Sequence, residues 1–196
     1  MESNLSTNMK YLITLDEFLN EKYVHYINIK PNCIVDPLVD FDNHLEENQK
    51  NVNYINKFLR SSGKSRWQPS CLIKVYHGTS PKLPILEDGL KTTKSKTAHS
   101  NQSEFGYTYF SIYPSMAKTF GNMGWGIKNA VVYECLIPTC EIEPDTDQLR
   151  NKRLYGGYDI GDSLGESIIY GHGIRVKGDI PPYMISVFSE DNHSTK

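Results

Sequence analysis

Residues 71–80 of the chain read CLIKVYHGTS, an apolar and partly β-branched run that ends in a histidine, a glycine and two hydroxyl residues. A short run of this composition predicts a β-strand. The glycine after the histidine lets a ligand approach the backbone closely, because glycine has no Cβ. The stretch therefore predicts a strand at residues 71–76 that delivers His77 and Gly78 to a binding site.

The sequence that follows predicts more strands than helices. The predicted strands are residues 107–111, 130–137, 167–170, 173–176 and 184–188, and short helices are predicted at 81–89 and 115–120. The segments between the strands are too short for repeated crossover helices, which favours antiparallel pairing. The sequence predicts an α+β fold with a mostly antiparallel sheet.

The first third of the chain has a different pattern and predicts a helical N-terminal region. A helix is predicted to begin after a cap at Asp42 or Asn43 and to end near residues 61–63, with a weaker helix at 15–26. Apolar residues at helical spacing form its buried face: Leu45, Val52, Ile55, Phe58 and Leu59. The predicted division is a helical region at 1–65, a main domain at 66–190 and a tail at 191–196.

Charge is unevenly distributed along a chain of 196 residues whose net charge is only −2. Residues 60–96 carry eight basic and two acidic side chains, a balance of +6. Such a block is either a solvated basic face or a surface for an anionic partner, so a nucleic acid is one candidate partner.

Cysteine usage and hydropathy give expectations about the compartment. The four cysteines are scattered without a CxxC pair, which suggests neither a zinc site nor a disulfide framework and favours a reducing compartment. The early apolar run at 11–15 is too short for a signal-peptide core or a membrane span. We expect a cytoplasmic protein without a membrane partner, with delivery into a host or target cell as the alternative.

Three segments place polar side chains at the ends of predicted strands. They are Tyr76-His77-Gly78-Thr79, the stretch 106–110 with a small-residue helix that contains Ala117, and Glu166-Ser167-Ile168-Ile169-Tyr170. Their order, with 32 residues from His77 to Tyr109 and 57 from Tyr109 to Glu166, resembles the His–Tyr–Glu signature of the diphtheria-toxin-like and poly(ADP-ribose) polymerase-like ADP-ribosyltransferases. The resemblance covers about residues 70–190 and implies the two-sheet core of that family.

The resemblance implies an NAD+-dependent mono-ADP-ribosyltransferase that uses NAD+ as co-substrate and needs no metal. Cleavage of the nicotinamide–ribose bond develops positive charge on the ribose, so the site must hold the dinucleotide rigidly and place negative charge beside it. Glu166 is expected to bond the ribose 2′-hydroxyl and stabilise this cation.

The same resemblance assigns roles to the other site residues. His77 is expected to bond the adenosine ribose, and the Gly78 backbone to hold the nicotinamide amide. Tyr109 and Phe120 are expected to sandwich the nicotinamide ring. Secondary polar candidates are Thr79, Ser80 and Ser111.

A second resemblance, to the bacterial rifamycin ADP-ribosyltransferases, leaves the identity of the catalytic carboxylate open. It rests on the same Tyr-His-Gly-Thr motif and on residues 174–180. That group uses an aspartate soon after its central strand, and here the comparable stretch holds Glu141, Glu143, Asp145 and Asp147. Glu166 is favoured because the strand it opens matches better, and the acidic cluster is the alternative.

Several functions on this fold remain open from the sequence. The alternatives to mono-ADP-ribosylation are an RNA 2′-phosphotransferase, an NAD+ glycohydrolase and an inactive module that binds NAD+ or ADP-ribose. The acceptor is a protein, a nucleic acid or a small molecule, and a toxin or effector role is one interpretation.

Overall fold

The computed structural model describes residues 34–63, 71–92, 104 and 106–189. Within them, seven strands form one sheet in the order β5-β6-β3-β2-β4-β7, with β1 beside the start of β2. The strands are β1 (Ile34–Val35), β2 (Leu72–Thr79), β3 (Tyr107–Ser111), β4 (Val131–Pro138), β5 (Ile142–Pro144), β6 (Gly173–Lys177) and β7 (Ile185–Val187). The pair β1–β2 is parallel, and the other pairs are antiparallel. The α+β class and the antiparallel sheet are confirmed.

Six α-helices accompany the sheet in the described part of the chain. They are α1 (Pro37–Asp40), α2 (Gln49–Gly63), α3 (Ile85–Asp88), α4 (Pro114–Trp125), α5 (Thr146–Gly156) and α6 (Leu164–Glu166). Helix α6 runs directly into a single π-helical turn at Ser167–Gly171. Helix α4 packs on β2, and α2 packs on α6.

The sheet is nearly divided between β2 and β3. Strand β2 pairs with β4 along its whole length, but with β3 at the single pair Tyr76↔Ser111. Strand β3 in turn pairs with β6 over five residues. The expected two-sheet core differs from this arrangement, because the pair Tyr76↔Ser111 joins the two halves into one sheet.

The hydrophobic core joins the N-terminal helix to the sheet. Val52, Ile55 and Leu59 recur at helical spacing in α2 and are buried in one cluster with Ile73 and Val75 of β2. Burying one face in this way stabilises a helix that its own propensity does not. The predicted domain boundary at residue 65 lies outside the described residues and stays a prediction. The described residues before and after it share this core.

Helix α2 is confirmed, but it begins later than the sequence predicted. Its cap is Asn48, whose side-chain oxygen accepts the Asn51 N–H at 2.9 Å, and not Asp42 or Asn43. Asp42 and Asn43 belong instead to a 3₁₀ turn at Asp42–His44. The helix predicted at 15–26 and the predicted tail lie outside the described residues.

The strand predicted at 167–170 is wrong, because these residues form the π-helical turn that continues α6. Ser163 and Glu166 form a capping box, which begins a helix at this point. All five residues of the turn are buried. A buried β-branched run therefore occurs here in a helical turn that packs against other elements on every side.

Cys71 forms a disulfide, whereas Cys135 is a buried free thiol. A disulfide could not be expected from the sequence, because spacing along the chain does not show which cysteines meet in space. The expectation of reduced, scattered thiols is thus corrected for Cys71.

Candidate functional site

A cavity of about 480 Å³ opens where β2 and β3 diverge. Its volume lies in the usual range for ligand sites, roughly 300–1,000 Å³. Strands β2 and β3, helix α4 and the start of α5 contribute to its lining, together with the segment before β6. Sequence-predicted residues that line it are His77, Gly78, Thr79, Tyr109, Ser111, Phe120, Asp145 and Asp147.

His77 bridges the gap between the diverging strands. Its Nδ1 lies 2.9 Å from the carbonyl oxygen of Tyr109 on β3. A carbonyl only accepts, so Nδ1 carries the proton in this bond. Burial lowers the pKa of His77 and outweighs this hydrogen bond. The imidazole is thus neutral at pH 7, and Nε2 is an acceptor for a ligand hydroxyl.

Gly78 allows helix α4 to approach strand β2 without an intervening side chain. A Cβ on Gly78 would overlap the backbone carbonyl of Ala117 in α4. A Cβ on Gly121, one turn later, would lie 2.6 Å from the carbonyl carbon of Gly78. This close approach places helix α4 along the cavity. Phe120, which lies between Ala117 and Gly121, lines the cavity and is 43% exposed.

The Tyr109 hydroxyl is held by two neighbours on other elements. It donates to Oδ2 of Asp147 at 2.6 Å and accepts from the Glu104 N–H at 2.9 Å. The same N–H lies 3.2 Å from Asp147 Oδ2, which closes a triangle of three polar atoms. Burial and the bond to Asp147 raise the pKa of Tyr109. The hydroxyl therefore anchors the ring and stays protonated.

Asp145 is the most buried carboxylate of the cavity, with 5% of the residue exposed. Its Oδ1 caps α5 by accepting the Gln148 N–H at 3.0 Å. Gly173 lies beside its Oδ2: a Cβ on Gly173 would be 3.6 Å from that oxygen and only 2.6 Å from the Phe110 carbonyl oxygen. Burial raises the pKa of Asp145 to about 6. Burial disfavours the ionised form of Asp145, so a positive charge nearby would stabilise that form.

Glu166 lies in the capping box of α6 and is absent from the cavity lining. Its Oε1 accepts the Gly161 N–H and its Oε2 accepts the Ser163 N–H, both at 2.8 Å. Burial alone raises its pKa, but the bonds from Ser163 and Gly161 outweigh burial and lower it. Both oxygens therefore serve the helix start, and the structure does not bring Glu166 together with His77 and Tyr109.

We expect Glu166→Ala to lower the free energy of unfolding by about 1 kcal/mol, the usual effect of losing a helix cap. The pKa of Glu166 is lowered in the folded state. Its contribution to the free energy of unfolding is therefore fully present above the unfolded-state pKa and is lost as the pH falls through the folded-state pKa. Urea denaturation at pH 7 and pH 3 measures the effect. Ser163→Ala, which removes the other half of the box, is the matched variant. Equal stability of Glu166→Ala and the wild type at pH 7 would contradict the capping role.

The hydroxyl residues of the predicted site have mainly structural partners. Ser111 Oγ donates to the His172 carbonyl and accepts the Tyr113 N–H, each at 3.0 Å. Ser80 Oγ accepts the Lys82 N–H at 3.3 Å, and Ser80 is not part of the cavity lining. Thr79 is buried and lines the cavity. Of the three, Thr79 remains the candidate ligand contact.

Several residues that line the cavity were not predicted from the sequence. Among them are His172, Gln148, Asn151 and Trp125. His172 has φ 53°, a left-handed conformation that few residues other than glycine adopt. Gln148 and Asn151 lie on α5, whose sequence signals were Asp145 as a cap and Gly157 after its end.

The basic block is partly neutralised where it is described. Lys74 Nζ lies 2.7 Å from Asp36 Oδ2, and Lys91 Nζ lies 3.4 Å from Asp179 Oδ2. These two lysines are therefore compensated within the fold. A nucleic-acid partner stays a prediction, since Lys64, Arg66, Lys94 and Lys96 lie outside the described residues.

Comparisons of the chain with protein-family models, with curated proteins and with solved structures find no match. In the described part of the chain, no group of three or more His, Cys, Asp or Glu side chains could hold a metal ion. No helix among the same residues is long and apolar enough to cross a membrane.

Proposed function

We propose that this protein is an NAD+-dependent ADP-ribosyltransferase in which Asp145 supplies the catalytic carboxylate. One observation carries the proposal: His77 from β2, Tyr109 from β3 and Asp145 before α5 line a single cavity, although they are far apart in sequence. A neutral histidine, an anchored aromatic ring and a buried carboxylate are the groups that cleavage of a nicotinamide–ribose bond needs.

The dinucleotide is expected to lie across the gap between β2 and β3. The free Nε2 of His77 accepts a hydroxyl of the adenosine ribose, and the ring of Tyr109 stacks on the nicotinamide. Phe120 lines the same cavity from α4 and is the candidate for the opposite ring face. These contacts bind and orient the substrate before any bond breaks.

Asp145 is expected to act when the glycosidic bond breaks. The electron pair of the C1′–N bond leaves with nicotinamide, and the ribose C1′ becomes positively charged. The acceptor then donates a lone pair to C1′ and loses a proton. A fixed carboxylate stabilises this cation more than it stabilises the neutral ribose, and such differential binding lowers the barrier.

The lining of the cavity disfavours one of the alternatives. An RNA 2′-phosphotransferase is expected to need several arginines for the 2′-phosphate. Among the described residues that line the cavity, Lys91 is the one lysine or arginine, and it pairs with Asp179. A glycohydrolase uses the same cavity with water as acceptor, so kinetics must separate it from a transferase.

Nicotinamide release from NAD+ tests the proposal directly. Release that requires a candidate acceptor indicates transfer, and release without one indicates hydrolysis. NAD+ binding without any release indicates an inactive binding module. Labelled NAD+ incubated with lysate fractions, followed by protease or nuclease digestion of the product, identifies the class of acceptor. The absence of both NAD+ binding and nicotinamide release, with every fraction tested, would overturn the proposal.

We expect His77→Ala to weaken NAD+ binding about 10- to 100-fold, because a buried hydrogen-bond partner of the ligand is removed. Titration calorimetry measures the affinity, and circular dichroism confirms that the variant is folded. His44→Ala is the matched control, since His44 also bonds a neighbour, Asn51, and stacks on Tyr54 but does not line the cavity. Wild-type affinity in a folded His77→Ala would rule out the assigned contact.

A further inference from the structure

Arg175 is a buried cation of β6 that the proposed reaction does not use. Its side chain is only 8% exposed, and its guanidinium lies 4.1 Å from the ring centroid of Tyr107. A buried cation is tolerated when carboxylates and aromatic faces replace water around it. Arg175 has both, which indicates a site built around it.

The register of the sheet places Arg175 beside the Tyr109 triangle. Arg175 is directly opposite Tyr109 on one side and Glu143 on the other, so the three side chains share one face of the sheet. Its Nη1 lies 3.0 Å from Glu104 Oε2, and its Nη2 lies 3.6 Å from Glu143 Oε2. Nε and Nη1 make no hydrogen bond in this geometry, so both contacts are ion pairs and not a bidentate hydrogen-bonding fork, and Arg175 also interacts directly with Tyr109.

Glu104 connects this ion pair to the cavity. Its carboxylate pairs with Arg175, while its backbone N–H donates to the Tyr109 hydroxyl and lies close to Asp147. Glu104 has an exposed side chain, so burial alone does not hold it in place. Among the described contacts of Glu104, the ion pair with Arg175 restrains its side chain while the N–H bonds to the triangle.

We propose that Arg175 is a positioning residue: through Glu104 it fixes the Tyr109 hydroxyl and Asp147, and thereby the aromatic wall on which the nicotinamide ring stacks. The effect on NAD+ rests on the proposed function. The coupling of Glu104 to Tyr109 does not, because it is a property of the protein alone. Loss of the ion pair loosens the ring without removing any group that touches substrate.

Glu104→Gln and Arg175→Lys test the proposal. The first keeps the backbone N–H and the side-chain size, and the second keeps the positive charge near Asp145 but not the planar guanidinium. We expect each to raise the KM for NAD+ in nicotinamide release about tenfold, with kcat changed less than about twofold. Glu143→Gln is the matched control, since Glu143 pairs with Arg175 but does not line the cavity, and the KM of this variant is expected to equal that of the wild type.

A double-mutant cycle with Tyr109→Phe separates positioning from general structural support. Without the hydroxyl the N–H of Glu104 has lost its main acceptor, so Glu104→Gln is expected to have little further effect on KM in this background. Equal effects of Glu104→Gln in both backgrounds, or an equal rise in KM for Glu143→Gln, would overturn the proposal.

The same cycle on urea midpoints tests the coupling if the wild type shows no NAD+ reaction. The midpoint shifts of Glu104→Gln and Tyr109→Phe are expected to be clearly less than additive in the double variant. Additive shifts would overturn the positioning role, whereas absent nicotinamide release with non-additive shifts would overturn only the assigned reaction.

Discussion

Asp145→Asn is expected to lower the rate of nicotinamide release by about 10²–10³-fold, the usual loss when one preorganised electrostatic group is removed. Asparagine keeps the size and the helix-capping ability of the side chain, so the fold should be retained. The affinity for NAD+ should change little, because the charge matters most once the ribose becomes cationic. Single-turnover rates and calorimetry on the same sample separate the two effects.

Two further measurements make this prediction specific to Asp145. Glu166→Gln removes a carboxylate that does not line the cavity, so near-wild-type turnover is expected there. Because the pKa of Asp145 is raised to about 6 and the ionised form is active, turnover should rise with pH through about 6. A large loss in Glu166→Gln together with normal turnover in Asp145→Asn would return the catalytic role to Glu166.

Gly78→Ala is expected to lower the free energy of unfolding by about 3 kcal/mol, at the upper end of the usual range for overpacking. The added methyl group overlaps the backbone carbonyl of Ala117, and neither backbone moves easily because β2 is paired along its whole length with β4. Urea denaturation measures the loss, with thermal melting as a second probe.

Gly171→Ala is the control for a methyl group added at the cavity. Its Cβ would lie 3.4 Å from the Gln148 Cβ, an ordinary contact distance, so stability should be close to that of the wild type. If Gly78→Ala matched Gly171→Ala in stability, helix α4 would have room to shift, and the close approach would not be needed to hold Phe120 at the cavity.

Most strands could be predicted from the sequence because their apolar runs are short, β-branched and bounded by turns. Strands β3, β4, β6 and β7 confirm the predictions within one residue, whereas β2 continues three residues beyond the predicted end at Tyr76. The two-residue strand β1 and three-residue strand β5 were missed, because segments this short pair only through their place beside longer strands. Helix α5 was missed since only Leu149 in it is buried, so it has no clear apolar face.

The run at 167–171 shows where an apolar pattern is ambiguous. Ile168 and Ile169 are fully buried, which suits a central strand and a packed helical turn equally. The discriminating signal was Ser163 followed three residues later by Glu166, a capping box that predicts the start of a helix. Reading it would have given Glu166 a structural role before any comparison with other proteins.

The candidate site was predicted in part. The resemblance to the His–Tyr–Glu signature brought His77 and Tyr109 together, and both line the cavity. The choice between carboxylates could not be made, since it depends on which acidic residue faces the gap between β2 and β3. The partners of Tyr109 on Glu104 and Asp147 depend on tertiary contacts and have no local signal.

The single residue pair between β2 and β3 has a thermodynamic consequence. A dinucleotide that touches His77 on one half of the sheet and Tyr109 on the other supplies cohesion where the backbone ladder stops. Binding and the joining of the two halves are then one linked equilibrium, and each favours the other by the same free energy. Under the proposed function, NAD+ would complete the sheet from outside the chain, so the protein is expected to be most cooperative in unfolding when NAD+ is bound.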